Sequence, residues 1–208
     1  MRDNGYKAIV IGASAGGMAA ITSVLKPLPC NYGIPILMVQ HLHHSDRGGF
    51  AQTIDTKLAL SVCQAADKEQ LLAGHVYFAP ANYHMLVEHE ETLALSVDEL
   101  VNWSRPSIDV LFESAARIWK QHLVGIILTG ANEDGAQGLQ RIAQQGGLTI
   151  VQNPESAESP EMPSAAMKRA RIDHLLLPNE IGTLLQGLEP FQKAAAEKAN
   201  GPYLGGWQ

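Results

Sequence analysis

The chain has 208 residues, 46% hydrophobic and 17% charged, a balance that folds as one ordinary domain and excludes an intrinsically disordered chain. A formal charge of -6 excludes the broad basic face that a nucleic-acid partner requires. No apolar run reaches the roughly 18 residues of a membrane span, the first residues lack a signal-peptide core, and Cys30 and Cys63 form no CxxC pair. The expected location is therefore the cytoplasm, with no membrane insertion and no disulfide or zinc framework.

Strands and helices alternate along most of the chain. Residues 9–11 are the core of a first strand, which passes through Gly12-Ala13-Ser14-Ala15-Gly16-Gly17 into a helix over 18–25, ended near Pro27. Residues 36–39 are apolar without interruption, the mark of a strand buried on both faces of a parallel sheet. A helix over 49–58 and a short strand over 61–65 follow. Three short apolar runs, 76–79, 85–87 and 93–95, are then separated by Pro80-Ala81-Asn82 and by the acidic stretch 88–91. That pattern predicts an antiparallel meander inserted near 74–97. The helix over 108–120 carries Ile108, Leu111, Phe112, Ala115 and Ile118 at helical spacing, with Ser107 as its N-cap. A strand over 124–128, a helix over 135–145 and a strand over 148–151 come next, then a helix over 167–171, a strand over 174–177 and a helix over 181–188. Residues 1–190 are expected to form one domain and 191–208 a loosely held tail. The fold class is α/β: a doubly wound, mainly parallel sheet with helices on both faces and the antiparallel insertion.

Ligands and chemistry in such sheets gather at the carboxyl ends of the strands. One strand ends at Ser14, another at Gln40-His41, and a third runs into Thr129-Gly130-Ala131-Asn132-Glu133-Asp134-Gly135. A serine hydroxyl becomes a nucleophile when a base takes its proton, histidine is that base near neutral pH, and a carboxylate on its other nitrogen fixes the tautomer. Ser14, His41 and Asp134 are thus candidates for acyl transfer. Gly12-Ala13-Ser14-Ala15-Gly16 also matches the G-x-S-x-G elbow, with the Ala15 N–H placed to meet an oxyanion.

Each residue has a plainer reading. The serine turn is also an ordinary βα connection, and Asp134 is an obvious cap for the helix that follows it. His43, His44 and Asp46 form at most a weak metal site, which would need a further convergent ligand. His84 and Arg105 lie beside turns, where a surface contact is the default. A dinucleotide site needs G-x-G-x-x-G and an acid ending the second strand. Here the glycines are 12, 16 and 17 and that strand ends in Gln40-His41, with no Walker lysine.

The same residues resemble the catalytic domain of the chemotaxis protein-glutamate methylesterases (CheB). Ile11-Gly12-Ala13-Ser14-Ala15-Gly16-Gly17 is similar to that family's nucleophile turn and Gln40-His41 to its histidine. Gly74-His75-Val76-Tyr77-Phe78-Ala79-Pro80 with His84-Met85 resembles its central hairpin. Arg105-Pro106-Ser107-Ile108-Asp109-Val110-Leu111-Phe112, Ile127-Leu128-Thr129-Gly130, Asp134-Gly135-Ala136, Gln152-Asn153-Pro154 and Met162-Pro163 follow in order, so the likeness spans about residues 7 to 188. It implies hydrolysis of glutamate γ-methyl esters on the cytoplasmic helices of chemoreceptors, with release of methanol, and a second activity, deamidation of receptor glutamine. By position it implies Ser14 as nucleophile, His41 as base and Asp134 as its orienting carboxylate. The resemblance further implies an oxyanion hole formed by the backbone N–H groups of Ala15 and Ala131 and a scheme that needs no metal or organic cofactor, and Arg105 is the candidate for a receptor contact at the rim.

The chain departs from the family at Ala15, where Thr is common, at Ala131-Asn132, where Met-Gly is common, and at His43-His44, in a stretch usually richer in proline. With six residues ahead of the first strand, no N-terminal receiver domain is expected. Activity is then constitutive or set by a separate regulatory protein. Rival expectations are a non-catalytic receptor-binding module and, more remotely, a nucleotide-binding enzyme.

Overall fold

A computed structural model describes residues 5–192. Nine strands and six α-helices alternate among the described residues: β1 Ala8–Ala13, α1 Gly17–Leu25, β2 Ile36–Gln40, α2 Gly49–Asp55, β3 Ser61–Gln64, β4 His75–Phe78, β5 His84–Val87, β6 Leu93–Ser96, α3 Ile108–Trp119, β7 Leu123–Ile127, α4 Ala136–Gln144, β8 Leu148–Gln152, α5 Glu161–Arg169, β9 His174–Leu176 and α6 Pro178–Gln186. Seven strands form one sheet in the order β3-β4-β2-β1-β7-β8-β9, and every pairing in it is parallel. β5 and β6 form a separate antiparallel pair.

The apolar runs become strands because both faces of the sheet are covered. Ile9, Ile11 and Ala13 of β1 face a core shared with Ile21 and Val24 of α1 and Ile181 and Leu185 of α6. Ala8 and Val10 face the opposite core, with Leu111 and Phe112 of α3, Leu139 of α4 and Met85 of β5.

The antiparallel insertion expected at 74–97 is present as the β5–β6 hairpin, while its first run, β4, pairs in parallel with β2 and β3 instead. α5 begins six residues before the expected position, at Glu161 rather than 167. Pro163 falls in its first turn, where an N–H has no intrahelical partner to lose, so the helix accommodates it. The expected tail lies outside the described residues beyond 192. Phe191 is held, donating its N–H to the Tyr6 carbonyl at 2.7 Å and packing edge-on against His122.

Two glycines bring α3 to the end of β1. A Cβ at Gly12 would lie 2.4 Å from Cγ2 of Ile108, and one at Gly135 2.6 Å from the same atom. Gly135 also has φ +94, a conformation that side chains disfavour. The first residue of α3 therefore seats directly against β1 and the turn before α4.

Candidate active site

The chain order reverses across β1. From β1 the sheet grows through β2 to one side, and later through β7 to the other, so the crevice at the carboxyl ends of β1, β2 and β7 is the topological switch point. Register then places the residues. Ala13 pairs with Gln40, so Ser14 and His41 leave neighbouring strands side by side. The His41 N–H donates to the Ala13 carbonyl at 3.0 Å, and the Ser14 N–H to the Thr129 carbonyl at 2.9 Å, past the end of β7.

Imidazole and carboxylate meet. His41 Nε2 lies 2.9 Å from Asp134 Oδ2, with side-chain exposures of 14% and 0%. An ionised carboxylate only accepts, so this contact places the imidazole proton on Nε2 and leaves Nδ1 as the basic nitrogen. Asp134 Oδ2 also accepts the Ile108 N–H at 2.7 Å. Its Oδ1 accepts the Ser107 hydroxyl at 2.8 Å, the Asn102 amide at 2.9 Å and the Asp109 N–H at 3.2 Å. Burial by itself would raise this carboxyl, but the bonds from His41, Asn102 and Ile108 outweigh it and hold the group below the ordinary carboxylate range.

The capping roles differ from those expected. Asp134 caps α3, through the N–H groups of Ile108 and Asp109, and not the helix that follows it. Ser107 stands at the N-cap position of α3, yet its hydroxyl goes to Asp134 and caps no helical N–H. Asp109 returns the favour to α4, accepting the Gly138 N–H at 2.7 Å. The reason is geometric: α3 and α4 start side by side, and each acid lies closer to its neighbour's orphan N–H groups than to its own. Burial raises the Asp109 carboxyl, with the Asp134 charge adding to it against the bonds from Gly138 and Asn102.

On the serine side, Gln40 Nε2 donates to the carbonyls of Ser14 at 2.8 Å and His41 at 2.9 Å. Thr129 Oγ1 donates to the Ala15 carbonyl at 2.8 Å. A trans peptide sets the Ala15 N–H opposite the Ser14 carbonyl, so it points away from Gln40, and Ala15 is exposed. Neither that N–H nor the Ala131 N–H donates to another described residue. Ala131 follows Gly130, where a Cβ would come 3.0 Å from Ser14 Cβ. The Ser14 hydroxyl itself makes no hydrogen bond among the described residues. The left-handed residue of the turn is Gly16, at φ +78 as N-cap of α1, and Ser14 is not in that region. The glycine two residues after Ser14 takes the left-handed conformation and turns the chain into α1. An open cavity of about 620 Å³ borders Ser14, lined also by Gly17, Met18, Gln40, Phe50 and Glu158.

Other candidates go elsewhere. Asp46 caps α2, accepting the N–H groups of Gly48 at 2.8 Å and Phe50 at 3.3 Å, while His43 pairs with Ser45 at 2.7 Å. Among the described residues no group of three or more His, Cys, Asp or Glu could hold a metal ion. His84 is 1% exposed and not a surface contact: Nε2 meets the Glu99 carbonyl at 3.0 Å and Nδ1 accepts the Ser107 N–H at 3.2 Å. Arg105 straps its own loop, with Nη1 donating to the carbonyls of Val97 at 2.7 Å and Asp98 at 2.8 Å. The sequence reading missed Asn102, Ser107 and Asp109 as neighbours of Asp134. Only Asp109 carried a signal, as an acid on the face of α3 that buries Ile108 and Phe112.

Residues 9–185 match the family model of the CheB methylesterases. A Leptospira interrogans protein, provisionally named a protein-glutamate methylesterase/protein-glutamine glutaminase, is 45% identical over 184 residues, 88% of this chain and 95% of that one. A protein of that name from Chromohalobacter salexigens is 39% identical over 192 residues, 90% of this chain but 54% of its own length. The chain thus spans about half the length of several named relatives and nearly all of the Leptospira protein. The crystal structure of the Thermotoga maritima CheB methylesterase catalytic domain superposes with a TM-score of 0.84 at 30% identity, covering 86% of this chain and 97% of that one.

Proposed function

The chain belongs to the CheB methylesterase family, and we propose that it hydrolyses γ-methyl esters of glutamate on chemoreceptor helices through Ser14, His41 and Asp134. One observation carries this reading: a buried, ionised Asp134 bonded to His41 Nε2, with Ser14 on the adjoining strand end. His41 Nδ1 takes the Ser14 proton as the hydroxyl oxygen attacks the ester carbonyl. Ser14 and Nδ1 close to hydrogen-bond reach as substrate binds, as such pairs commonly do. The tetrahedral oxyanion is met by the free N–H groups of Ala15 and Ala131, and Asp134 stabilises the imidazolium. Collapse breaks the carbon–oxygen bond to the methoxy group, which leaves as methanol with the proton from His41. Water, deprotonated by the same nitrogen, then releases Ser14 and the free glutamate. A glutamine side chain entering the same path loses ammonia instead, which is the deamidase reaction. Both oxyanion donors are backbone groups, so alanine at 15 and 131 preserves them. Arg105 has its Nη1 occupied within the loop and its Nε buried, which leaves Nη2 for a substrate contact at the rim.

The test is methanol release from a helical peptide bearing a glutamate γ-methyl ester. Wild type turns over, and Ser14→Ala and His41→Ala do not while keeping the wild-type melting temperature. Full turnover by Ser14→Ala overturns the assignment.

A further inference from the structure

We propose that Asn102 is a positioning residue of this site, dividing its amide between two buried carboxylates so that Asp134 stays aimed at His41. The proposal rests on the triad reading above and adds a group to it that touches neither substrate nor the reacting atoms.

Asn102 Nδ2 lies 2.8 Å from Asp109 Oδ2 and 2.9 Å from Asp134 Oδ1. Only the amide nitrogen carries two hydrogens, and only a donor can face two acceptors, so the orientation of the amide follows from its partners. The carboxylates are 7% and 0% exposed. Two such charges, close enough to share one amide, repel in a poorly screened interior, and no water reaches Asp134 to soften the field. Asn102 is the one neutral side-chain amide bonded to both among the described residues. The titratable groups facing the pair are His41 from the end of β2 and Glu113 one turn along α3, with His84 behind Ser107.

The backbone is bent to deliver this amide. Val101 and Ser104 exchange N–H···O=C bonds at 3.2 and 2.9 Å across a two-residue turn, in which Asn102 and Trp103 have φ of 51 and 56. Two positive φ values in succession are the signature of a type I′ turn, which asparagine accepts and tryptophan does not favour. Strain of this kind persists where the surroundings over-determine it, and it clusters at functional sites. Here the surroundings are the two carboxylates on the inside, the Ser104 hydroxyl on the Asn102 carbonyl at 3.2 Å, and the Arg105 strap. Trp103 is turned outward, 94% exposed, and no packing of its own explains the conformation. The inward amide does.

Three variants in one turn separate positioning from scaffolding. Glycine and aspartate both tolerate positive φ, so Asn102→Gly removes the amide without straining the turn, and Asn102→Asp keeps the size but offers acceptors to two acceptors. Trp103→Gly changes only the outward position. The readout is kcat, KM and the pH profile of p-nitrophenyl acetate hydrolysis, with melting temperature measured alongside. Asn102→Gly is expected to lose roughly 10- to 100-fold in kcat, the kinetic equivalent of one hydrogen bond to a charged group, at unchanged KM. Asn102→Asp loses more. The acid limb of kcat/KM moves to higher pH in Asn102→Gly, because a carboxylate stripped of a donor holds the His41 proton more strongly. Trp103→Gly keeps the wild-type kcat and acid limb.

A role confined to shaping the turn predicts a different order, with Asn102→Asp matching wild type. Wild-type kcat and an unmoved acid limb in Asn102→Gly, or full activity in Asn102→Asp, overturn the proposal. If the triad reading is itself at fault, the wild type hydrolyses no ester or Ser14→Ala keeps its activity, and that result is distinct from either.

Discussion

The two flanks of His41 are built from different materials. On one side, Ser14 is set by the parallel ladder: Ala13 against Gln40, the His41 N–H on the Ala13 carbonyl, the Ser14 N–H on the Thr129 carbonyl. On the other, Asp134 is set by side chains and helix ends, with five donors drawn from the turn at Asn102, the start of α3 and the end of β2. A ladder draws its register from the alternation of many buried residues, so one altered side chain barely moves it. A buried carboxylate has no such reserve. Each lost donor leaves charge unsatisfied where water does not reach. The serine flank is accordingly robust in geometry, and the aspartate flank is where single substitutions are expected to disturb the candidate site.

The largest expected effect breaks the aspartate flank. Asp134→Asn puts an amide where five donors converge and favours the wrong imidazole tautomer, so kcat on a small ester should fall by about 10⁴-fold. Melting should fall as well, because an asparagine keeps only one acceptor oxygen, so either the Ile108 or the Asp109 N–H is left facing an amide donor. Loss of less than about tenfold in kcat would mean that His41 is aimed by something other than this carboxylate. A smaller effect is expected from pressing on the ladder side. Gly12→Ala drives a Cβ to within 2.4 Å of Ile108 Cγ2 and should cost about 1–3 kcal/mol in urea unfolding. Unchanged stability would show that α3 yields easily against β1.

The smallest effect is in the slope of stability with pH. The Asp134 carboxyl is depressed in the fold, so its stabilisation is present above the unfolded value of about 3.9 and is lost as pH falls through the lower folded value. Asp109 is raised, so its contribution is complete below about 3.9 and is lost as pH rises through its folded value. Asp109→Asn removes that second loss. Its stability relative to wild type should therefore improve as pH is raised from about 4 towards neutrality, even if the Gly138 cap weakens it at every pH. A constant difference across that range would show that Asp109 does not titrate differently in the folded chain.

How far the site was legible follows the same division. Ser14 and His41 could be read because each ends a run of buried apolar residues, and in a doubly wound sheet such ends share an edge. Asp134 could be read as an acid in a glycine-flanked strand-end loop, though its capping partner could not. Asn102, Ser107 and His84 gave no comparable signal. They lie in or beside an irregular segment, 97–107, whose path is set by hydrogen bonds between residues distant in sequence. Two local details also came from context: Gly16 takes the left-handed position of the serine turn, and α5 begins at Glu161, six residues before its expected start.

Hydrophobic periodicity by itself determined the alternation of strands and helices, the parallel sheet apart from β4, and which residues stand at its carboxyl edge, because periodicity is a local property that burial enforces along each element. Tertiary structure decided which acid caps which helix, which amide faces which carboxylate, and that a tryptophan is held outward so that the asparagine before it points in. Those choices depend on distances between separate segments, and a distance across space has no fixed counterpart along the chain.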